Sequence, residues 1–208
     1  MMKIGFAVIP NERLMDTLIS FQVEMNSTIA WEPKLGHTYN LPHITLLQGN
    51  FKDSLRYIDV LHDLQEHLVG SMTDTPVASV GEIFYQPVGW YFVRIQKEPW
   101  LIHLHNHLFD IVKDDMLQGT VNPDKEQWFT PLEIQNSRKY GYRYIREAYL
   151  PHITLGKNSD LTKSKLIFEM NRRWERANIA SPQLMSRLTV YEMGENGAHA
   201  RTLASLFI

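Results

Sequence analysis

Two identical stretches hold the residues of this sequence that are best suited to chemistry. The run LPHITL occupies positions 41–46, and it recurs without change at positions 150–155. Because residues two apart on a β-strand point to the same face, each copy sets a histidine beside a threonine. The four residues are His43 and Thr45 in the first copy and His152 and Thr154 in the second. The isoleucine and leucine of each copy would point to the opposite face, where we expect a core.

Two such pairs facing each other would gather two imidazoles and two hydroxyls around one small volume, a set suited to phosphodiester cleavage. One imidazole would take a proton from the attacking water or hydroxyl, while the other gives a proton to the leaving oxygen. The hydroxyls would donate hydrogen bonds to the nonbridging phosphate oxygens. A histidine pKa near ~6.5 allows either protonation state at neutral pH, so the chemistry needs no metal and no other cofactor. The sequence leaves open which histidine is the base.

The elements around the two copies predict how they are brought together. Apolar periodicity and turn residues give the order strand, helix, HITL strand, helix and strand pair, followed by helix, HITL strand, helix and strand pair. Helices that alternate with hairpin-like strand pairs predict an α+β fold. We expect a bilobal, pseudo-twofold arrangement in which two small antiparallel sheets, flanked by helices, enclose a central cleft.

Residues 1–208 are expected to form a single bilobal domain, since no low-complexity linker separates the halves. The stretch at about 117–146 shows no sustained period and contains two prolines, which predicts an insertion or a long connection. The first helix is expected over about 11–28. The last is expected to begin at Asp160 and to run through Asn178.

The motif pair resembles that of the 2H phosphoesterase superfamily, which is defined by two His-x-Thr/Ser-x motifs. The resemblance, which includes RNA 2′,3′-cyclic phosphodiesterases and 2′-5′ RNA ligase-like proteins, covers most of the chain. It implies a pseudo-twofold bilobal fold and metal-independent hydrolysis of 2′,3′-cyclic phosphates or related 2′-linked phosphodiesters of nucleotides or short RNA. A 2′-5′ ligase activity would be the reverse reaction in the same cleft. The site residues that it carries over are His43 and His152 as acid and base, and Thr45 and Thr154 as phosphate ligands.

Aromatic and basic residues near the motifs are candidates for substrate binding. They are Tyr39, Tyr142, Arg143, Tyr144 and Lys157. The run YGYRYIR at 140–146, if it forms a strand, would set its tyrosines on one face, able to stack on a base, and its first arginine near a phosphate. An ordinary half-exposed strand explains this run equally well. Bacterial cyclic phosphodiesterases often carry arginine soon after the second motif, whereas this chain has Gly156-Lys157, which leaves the substrate open.

Two other interpretations of the sequence lead to different functions. A noncatalytic module would bind or sequester a nucleotide in the same cleft, although binding alone does not require two acid/base groups. A zinc site would use His103 and His107, which share a helix face at i, i+4, but the pattern lacks a third ligand and an acidic base. We therefore expect these two and His105 to be surface histidines. The histidines without companions, expected to be structural or solvent-exposed, are His37, His62, His67 and His199.

Composition narrows the class of partner. The 208 residues carry a formal net charge of −2 and no cysteine, which excludes disulfide scaffolds and thiolate metal sites and fits a cytoplasmic protein. The absence of basic excess argues against long nucleic acid, and no apolar run approaches the roughly 20 residues of a membrane span. The expected partner is a nucleotide or short oligonucleotide with a 2′-linked or cyclic phosphate, bound by a monomer.

Overall fold

The computed structural model describes residues 1–26, 30–72, 74–158, 163–177, 179 and 181–208. The strands are β1 Met2–Pro10, β2 Ile44–Phe51, β3 Val77–Ala78, β4 Val80–Gln86, β5 Trp90–Ile95, β6 His152–Lys157, β7 Gln183–Met193 and β8 His199–Phe207. The helices are α1 Glu12–Met25, α2 Tyr57–Ser71, α3 Pro99–Val112, α4 Pro123–Glu126, α5 Pro131–Tyr140 and α6 Lys163–Arg176. The predicted succession of elements is confirmed. To it the structure adds the two-residue β3, and the helices α4 and α5 within the connection at 117–146.

The strands form an antiparallel sheet in the order β3-β7-β1-β2-β6-β5-β4, with β8 also paired to β7. The motif strands β2 and β6 are neighbours, and they share the single pair Ile44–Ile153. Two halves therefore meet at the motifs: a first half built on β7-β1-β2 and a second half built on β6-β5-β4. The predicted α+β class, with antiparallel strands flanked by helices, is confirmed, and the two predicted sheets are joined through this one pair.

The first helix shows how local sequence sets an element of the fold. The Asn11 side chain accepts a hydrogen bond from the Leu14 N–H at 2.9 Å, which caps the start of α1. The apolar residues at helical spacing are buried, namely Leu14, Leu18, Phe21 and Met25. The Phe21 ring meets the Trp174 ring edge to face, with 5.2 Å between their centroids, so α1 packs against α6.

Several predicted helix ends fall outside the described residues. They are the end of the first helix near residue 28 and both ends of the last helix, Asp160 and Asn178. In the part of the chain that the structure describes, α1 ends at Met25 and α6 covers Lys163–Arg176. No helix within that part has both the length and the apolar character that crossing a membrane requires.

The connection at 117–146 runs from the end of α3, past the end of β2, to the second motif. Its Leu117 N–H donates to the Asn50 carbonyl at 2.8 Å, which ties its start to β2. Helix α5 ends at Tyr140, where Gly141 adopts the left-handed conformation with φ 70°. The strand considered for 140–146 does not form, because the helix includes Tyr140 and the residues after Gly141 follow an irregular path.

Candidate active site

The four motif residues meet where β2 and β6 are paired. The single pair that joins these strands falls on the isoleucine of each motif. Extending its antiparallel register by one residue on either side sets each histidine opposite the threonine of the other motif: His43 opposite Thr154, and His152 opposite Thr45. All four side chains line the same cavity. The structure thus brings the four predicted residues together across the junction of the two halves.

The two histidines are held in the same tautomer by the same local bond. The Nδ1 atom of His43 lies 2.6 Å from the Leu41 carbonyl oxygen, and Nδ1 of His152 lies 2.6 Å from that of Leu150. Because a carbonyl oxygen can only accept, Nδ1 carries the proton in both rings. The neutral ring then has an unprotonated Nε2, which is the nitrogen left for proton transfer.

His152 lies against aromatic rings of the second half. The centroid of its ring is 3.9 Å from that of Phe92 and 5.6 Å from that of Tyr144. Burial lowers its pKa to about 4, against the opposing effect of its carbonyl bond, and the charges of Arg143 and His43 lower it too. At neutral pH the site without ligand therefore holds His152 as a neutral imidazole.

His43 lies against the hairpin formed by β7 and β8. Its ring centroid is 5.0 Å from that of Tyr191 and 5.5 Å from that of His199, and these two rings stack on each other at 4.5 Å. Burial lowers the pKa of His43, opposed by the bond to Leu41. The prediction that His199 is structural or solvent-exposed missed its position in the cavity wall. No local pattern marks it, because pairing of distant strands brings β8 beside the first motif.

Each motif contains a β-bulge at its leucine. In the first half the pairing with β1 skips Leu46, and in the second half the pairing with β5 skips Leu155. A bulge shifts the alternation of side chains by one residue. After Thr45, the next strand residue to line the cavity is therefore Gln48 rather than Leu47. Simple alternation of side chains along the sequence predicts that Leu47, not Gln48, lies on the cavity side. The bulge that changes this arises from pairing with β1, which the sequence of β2 does not reveal.

Lys157 occupies the position in the second copy that Gln48 occupies in the first. Its Nζ lies 6.0 Å from the Trp90 ring centroid, and its backbone N–H donates to the Glu32 carbonyl at 2.7 Å. Lys157 is not part of the cavity lining, and neither is the exposed Tyr39. The structure therefore does not bring these two predicted substrate-binding residues into the cavity.

Arg143 reaches the cavity from the connection at 117–146. Its guanidinium carbon lies 4.3 Å from the ring centroids of both Phe129 and Tyr144, and its Nε is 3.9 Å from a carboxylate oxygen of Glu133. Its Nη2 donates to the Tyr144 hydroxyl. Its Nη1 is buried and has no hydrogen-bond partner among the residues described. Since an unpaired buried donor is unfavourable, this nitrogen is suited to binding an anion.

The cavity has a volume of about 270 Å³. Of the predicted candidates, Tyr142, Arg143 and Tyr144 line it, and both tyrosines are nearly buried. Lining residues that the sequence analysis did not single out include Gln48, Trp90, Phe92, Asn196 and His199. Among the described lining residues, Arg143 is the single Lys or Arg, and there is no Asp or Glu. The cavity is therefore small, and Arg143 brings the one permanently charged side chain among its described lining residues.

A buried histidine and a tyrosine connect the two motif regions. His105 donates from Nδ1 to the Leu46 carbonyl at 2.7 Å and accepts at Nε2 from the Arg146 N–H at 3.0 Å. Its ring stacks on Tyr149 at 3.9 Å, and the Tyr149 hydroxyl donates to the Thr45 carbonyl at 3.2 Å. These bonds join β2 to the segment that precedes β6. They add to the single residue pair through which β2 and β6 are joined. The prediction of a surface position for His105 is wrong, since its ring is fully buried.

The other two histidines of the run at 103–107 take different directions. His103 is exposed, whereas His107 donates from Nε2 to Asp63 at 2.6 Å and stacks on His67 at 3.8 Å. Within the described parts of the chain, no three His, Asp or Glu side chains come together in an arrangement that would hold a metal ion.

We expect acid to destabilise the fold through three buried histidines, His105, His152 and His199. Burial is the largest cause that lowers their pKa values, to about 4, about 4 and about 3 respectively. Below pH ~6.5 the unfolded chain therefore binds more protons than the folded one. The stabilisation from neutral burial is present above that pH and is lost as the pH falls towards ~4, at up to ~1.4 kcal/mol per pH unit for each histidine.

Urea denaturation at a series of pH values across this window measures the slope of the free energy of unfolding. The variant His105→Gln should reduce the slope by the contribution of one histidine, whereas His103→Gln, at an exposed position, should leave it as in the parent protein. A free energy of unfolding that does not change with pH across the window would contradict the expectation.

No family model matches the sequence, and no curated protein matches it. In structure, the chain is similar to a phosphoesterase crystal structure at 13% identity and a TM-score of 0.45, over 100% of this chain and 99% of that one. It is similar to E. coli LigT complexed with 3′-AMP at 14% identity and a TM-score of 0.47, over 100% and 98%. It is similar to apo E. coli LigT at 14% identity and a TM-score of 0.45, over 99% and 96%.

Proposed function

We propose that this chain is a two-histidine phosphoesterase of the 2H superfamily, which hydrolyses 2′,3′-cyclic phosphates or related 2′-linked phosphodiesters of nucleotides or short RNA. One observation carries the proposal. The two His-x-Thr motifs lie across one antiparallel pair, with both rings in the same tautomer and both Nε2 atoms left for proton transfer. Packing alone does not require this arrangement of polar groups on the cavity side of both strands.

The phosphate would bind between the threonines and Arg143. The hydroxyls of Thr45 and Thr154 would donate to nonbridging oxygens, and Arg143 Nη1 would gain the partner that it lacks. Donors fixed around the phosphate in this way would favour the charge that develops on the phosphoryl oxygens in the transition state.

The surroundings of the two histidines favour a division of roles. The positive charge of Arg143 lowers the pKa of His152 in addition to burial, so His152 is the better candidate for the neutral base that takes a proton from water. His43 would then protonate the leaving oxygen. An anionic phosphate beside His43 raises its pKa and so favours the protonated form that an acid needs. After one turnover, proton exchange with solvent restores both rings.

The cavity limits the size of the substrate. Its volume of about 270 Å³ is slightly below the ~300–1,000 Å³ usual for small-molecule sites, which suits a single nucleotide or the end of a short chain. One wall comes from Ser137 and residues 141–144, all within the connection at 117–146. We therefore propose that this connection contributes to the choice of substrate. Monomeric state and a cytoplasmic location remain predictions.

A turnover screen in the presence of EDTA tests the proposal. The substrates are 2′,3′-cyclic nucleotides, 2′-5′ oligoadenylates, 3′-5′ cyclic dinucleotides and ADP-ribose cyclic phosphate. We expect hydrolysis of at least one 2′-linked or cyclic phosphate, with no loss of rate when EDTA is added. The double variant His43→Ala/His152→Ala, purified in parallel, controls for contaminating phosphodiesterases. Tight binding of a nucleotide without turnover of any substrate would instead favour the noncatalytic binding module.

A further inference from the structure

One end of the cavity is polar but carries no charged side chain. It is lined by Gln48 of β2, by Asn196 and Gly197 of the turn between β7 and β8, and by His199. Arg143 and the four motif residues account for the phosphate site proposed above, and none of the groups at this polar end is needed there. A neutral set of donors and acceptors is suited to an uncharged hydrogen-bonding group, whereas a second phosphate would require cations.

The Gln48 amide is oriented by a neighbouring tyrosine. The Tyr191 hydroxyl donates to Gln48 Oε1 at 2.9 Å, so the amide oxygen is engaged and the NH₂ group is directed away from it. The Tyr191 ring is in turn fixed by close contact with β1, because a Cβ at Gly5 would lie 2.3 Å from a ring carbon. The bulge places Gln48 on the cavity side, and Tyr191 then presents its amide as a hydrogen-bond donor.

The turn between β7 and β8 closes over the same amide. Gly197 has φ 84°, and a Cβ at this position would lie 2.7 Å from Gln48 Nε2. The left-handed φ favours glycine here, and the absence of a side chain lets the backbone lie close to the amide. Asn196, with φ 55°, lies beside it on the exposed side of the turn. Gln48 is therefore held from two sides, by Tyr191 and by the turn.

His199 contributes a polar atom without a partner. Its ring is fully buried and its Nε2 lies 2.9 Å from the Thr202 hydroxyl, but its Nδ1 has no hydrogen-bond partner among the described residues. Burial keeps this ring neutral, since its pKa is lowered to about 3. A neutral imidazole offers one donor and one acceptor, and the atom left unpaired here is suited to a ligand that brings the complementary group.

We infer that this end of the cavity binds the nucleobase of the substrate, with the Gln48 amide hydrogen-bonding to the base edge. The inference rests on the proposed function and names the part of the substrate that Gln48 recognises. The two motifs are alike in their histidines and threonines but differ at this later position, where the second copy has Lys157 outside the cavity. The base is thus assigned to the first half of the sheet.

Substrate pairs that differ in the base test this inference. The ratio of kcat/KM for a 2′,3′-cyclic nucleotide to kcat/KM for base-free ribose 2′,3′-cyclic phosphate measures recognition of the base and cancels effects on the chemical step. Loss of about one neutral hydrogen bond in Gln48→Leu should lower this ratio by roughly 2–13-fold. Tyr191→Phe, which removes the bond that orients the amide, should lower it less. Gln127→Leu, the same substitution at an exposed position, serves as the matched control.

Two results would overturn the inference. One is a ratio in Gln48→Leu equal to that of the parent protein. The other is loss of the base preference in Trp90→Ala but not in Gln48→Leu, which would place the base at the opposite end of the cavity.

Calorimetric binding separates this inference from the proposed function. If the parent protein hydrolyses no substrate in the screen, the affinity for nucleoside 2′- and 3′-monophosphates is compared with that for ribose phosphate. A base-dependent gain in affinity that disappears in Gln48→Leu would support base recognition even though the proposed hydrolysis had failed. Equal affinities for the nucleotide and the base-free phosphate, or no effect of the substitution, would overturn it.

Discussion

Replacing either His43 or His152 with alanine is expected to lower kcat for the hydrolysed phosphodiester by about 10²–10⁴-fold, the usual contribution of a positioned general acid or base. Each variant loses the Nε2 atom that takes or gives a proton, while the threonines and Arg143 still bind the phosphate. KM should therefore change much less than kcat. Steady-state kinetics with the best substrate of the EDTA screen, together with thermal unfolding followed by circular dichroism, measures the effect and shows that the variants are folded.

The double variant tests whether the two histidines act together. If the two histidines act in one concerted proton transfer, His43→Ala/His152→Ala should be only slightly slower than the slower single variant, because the losses are not additive. His103→Ala removes an exposed histidine outside the cavity and should keep the parent rate. Near-parental turnover by either single variant would rule out the proposed mechanism.

Arg143→Met is expected to lower kcat/KM by about 10²-fold, similar to the loss of one preorganised donor at a developing oxyanion. Methionine keeps much of the apolar bulk between Phe129 and Tyr144 but removes the charge and the unpaired Nη1. Arg143→Lys should recover part of the activity, since the charge returns without the planar fork of donors. Arg138→Met removes an arginine that pairs with Glu126 at the surface, and it should behave as the parent protein.

The pH–rate profile distinguishes this role from a structural one. Arg143 lowers the pKa of His152, so its removal should raise that pKa and move the acidic limb of kcat/KM to higher pH. Because burial is the larger cause of the low pKa, a loosened fold would shift the profile as well, so thermal unfolding followed by circular dichroism is needed to show that Arg143→Met keeps the stability of the parent protein. An unchanged profile combined with an unchanged kcat/KM would show that Arg143 does not act on the phosphate.

The two proposed roles are linked by the position of Arg143 beside one histidine. The cavity contains two imidazoles in the same tautomer, and their motifs are identical, so the motifs themselves do not assign acid and base. The asymmetry comes from their neighbours: Arg143 and aromatic rings around His152, and the hairpin residues Tyr191 and His199 around His43. The lining around His152 includes Trp90 and Phe92, whereas the polar end with Gln48 and Asn196 belongs to the side of His43.

The α+β class could be predicted from the sequence because it depends on local patterns. The convergence of the two motifs could be predicted because two identical sets of acid/base groups are useful only when they meet in one site. Alternation on a strand sets His43 beside Thr45, and the identical second copy repeats that geometry. The helical spacing of apolar residues in α1 and its Asn11 cap both involve residues close together in the chain, so they could be predicted from the sequence alone. The order of strands and helices followed from the same periodicities.

Residues whose position depends on distant pairing could not be predicted in this way. The strand considered for 140–146 does not form because α5 includes Tyr140, and a single-segment pattern did not reveal the helix that ends there. His105 was expected at the surface because the run at 103–107 offers no third metal ligand and no acidic base. In the structure it is buried, since β2 and the segment before β6 meet at its two nitrogens.

The sequence by itself therefore determined the reactive pair: its residue types, its spacing and its orientation on two strands. Only the tertiary structure decided what surrounds that pair. Gln48 lines the cavity because a bulge against β1 shifts the register, Arg143 arrives from an irregular connection, and His199 is placed by β8. Periodicity within a strand is a local property of the chain, whereas a bulge, a cavity wall and a neighbouring charge exist only after remote segments have packed together.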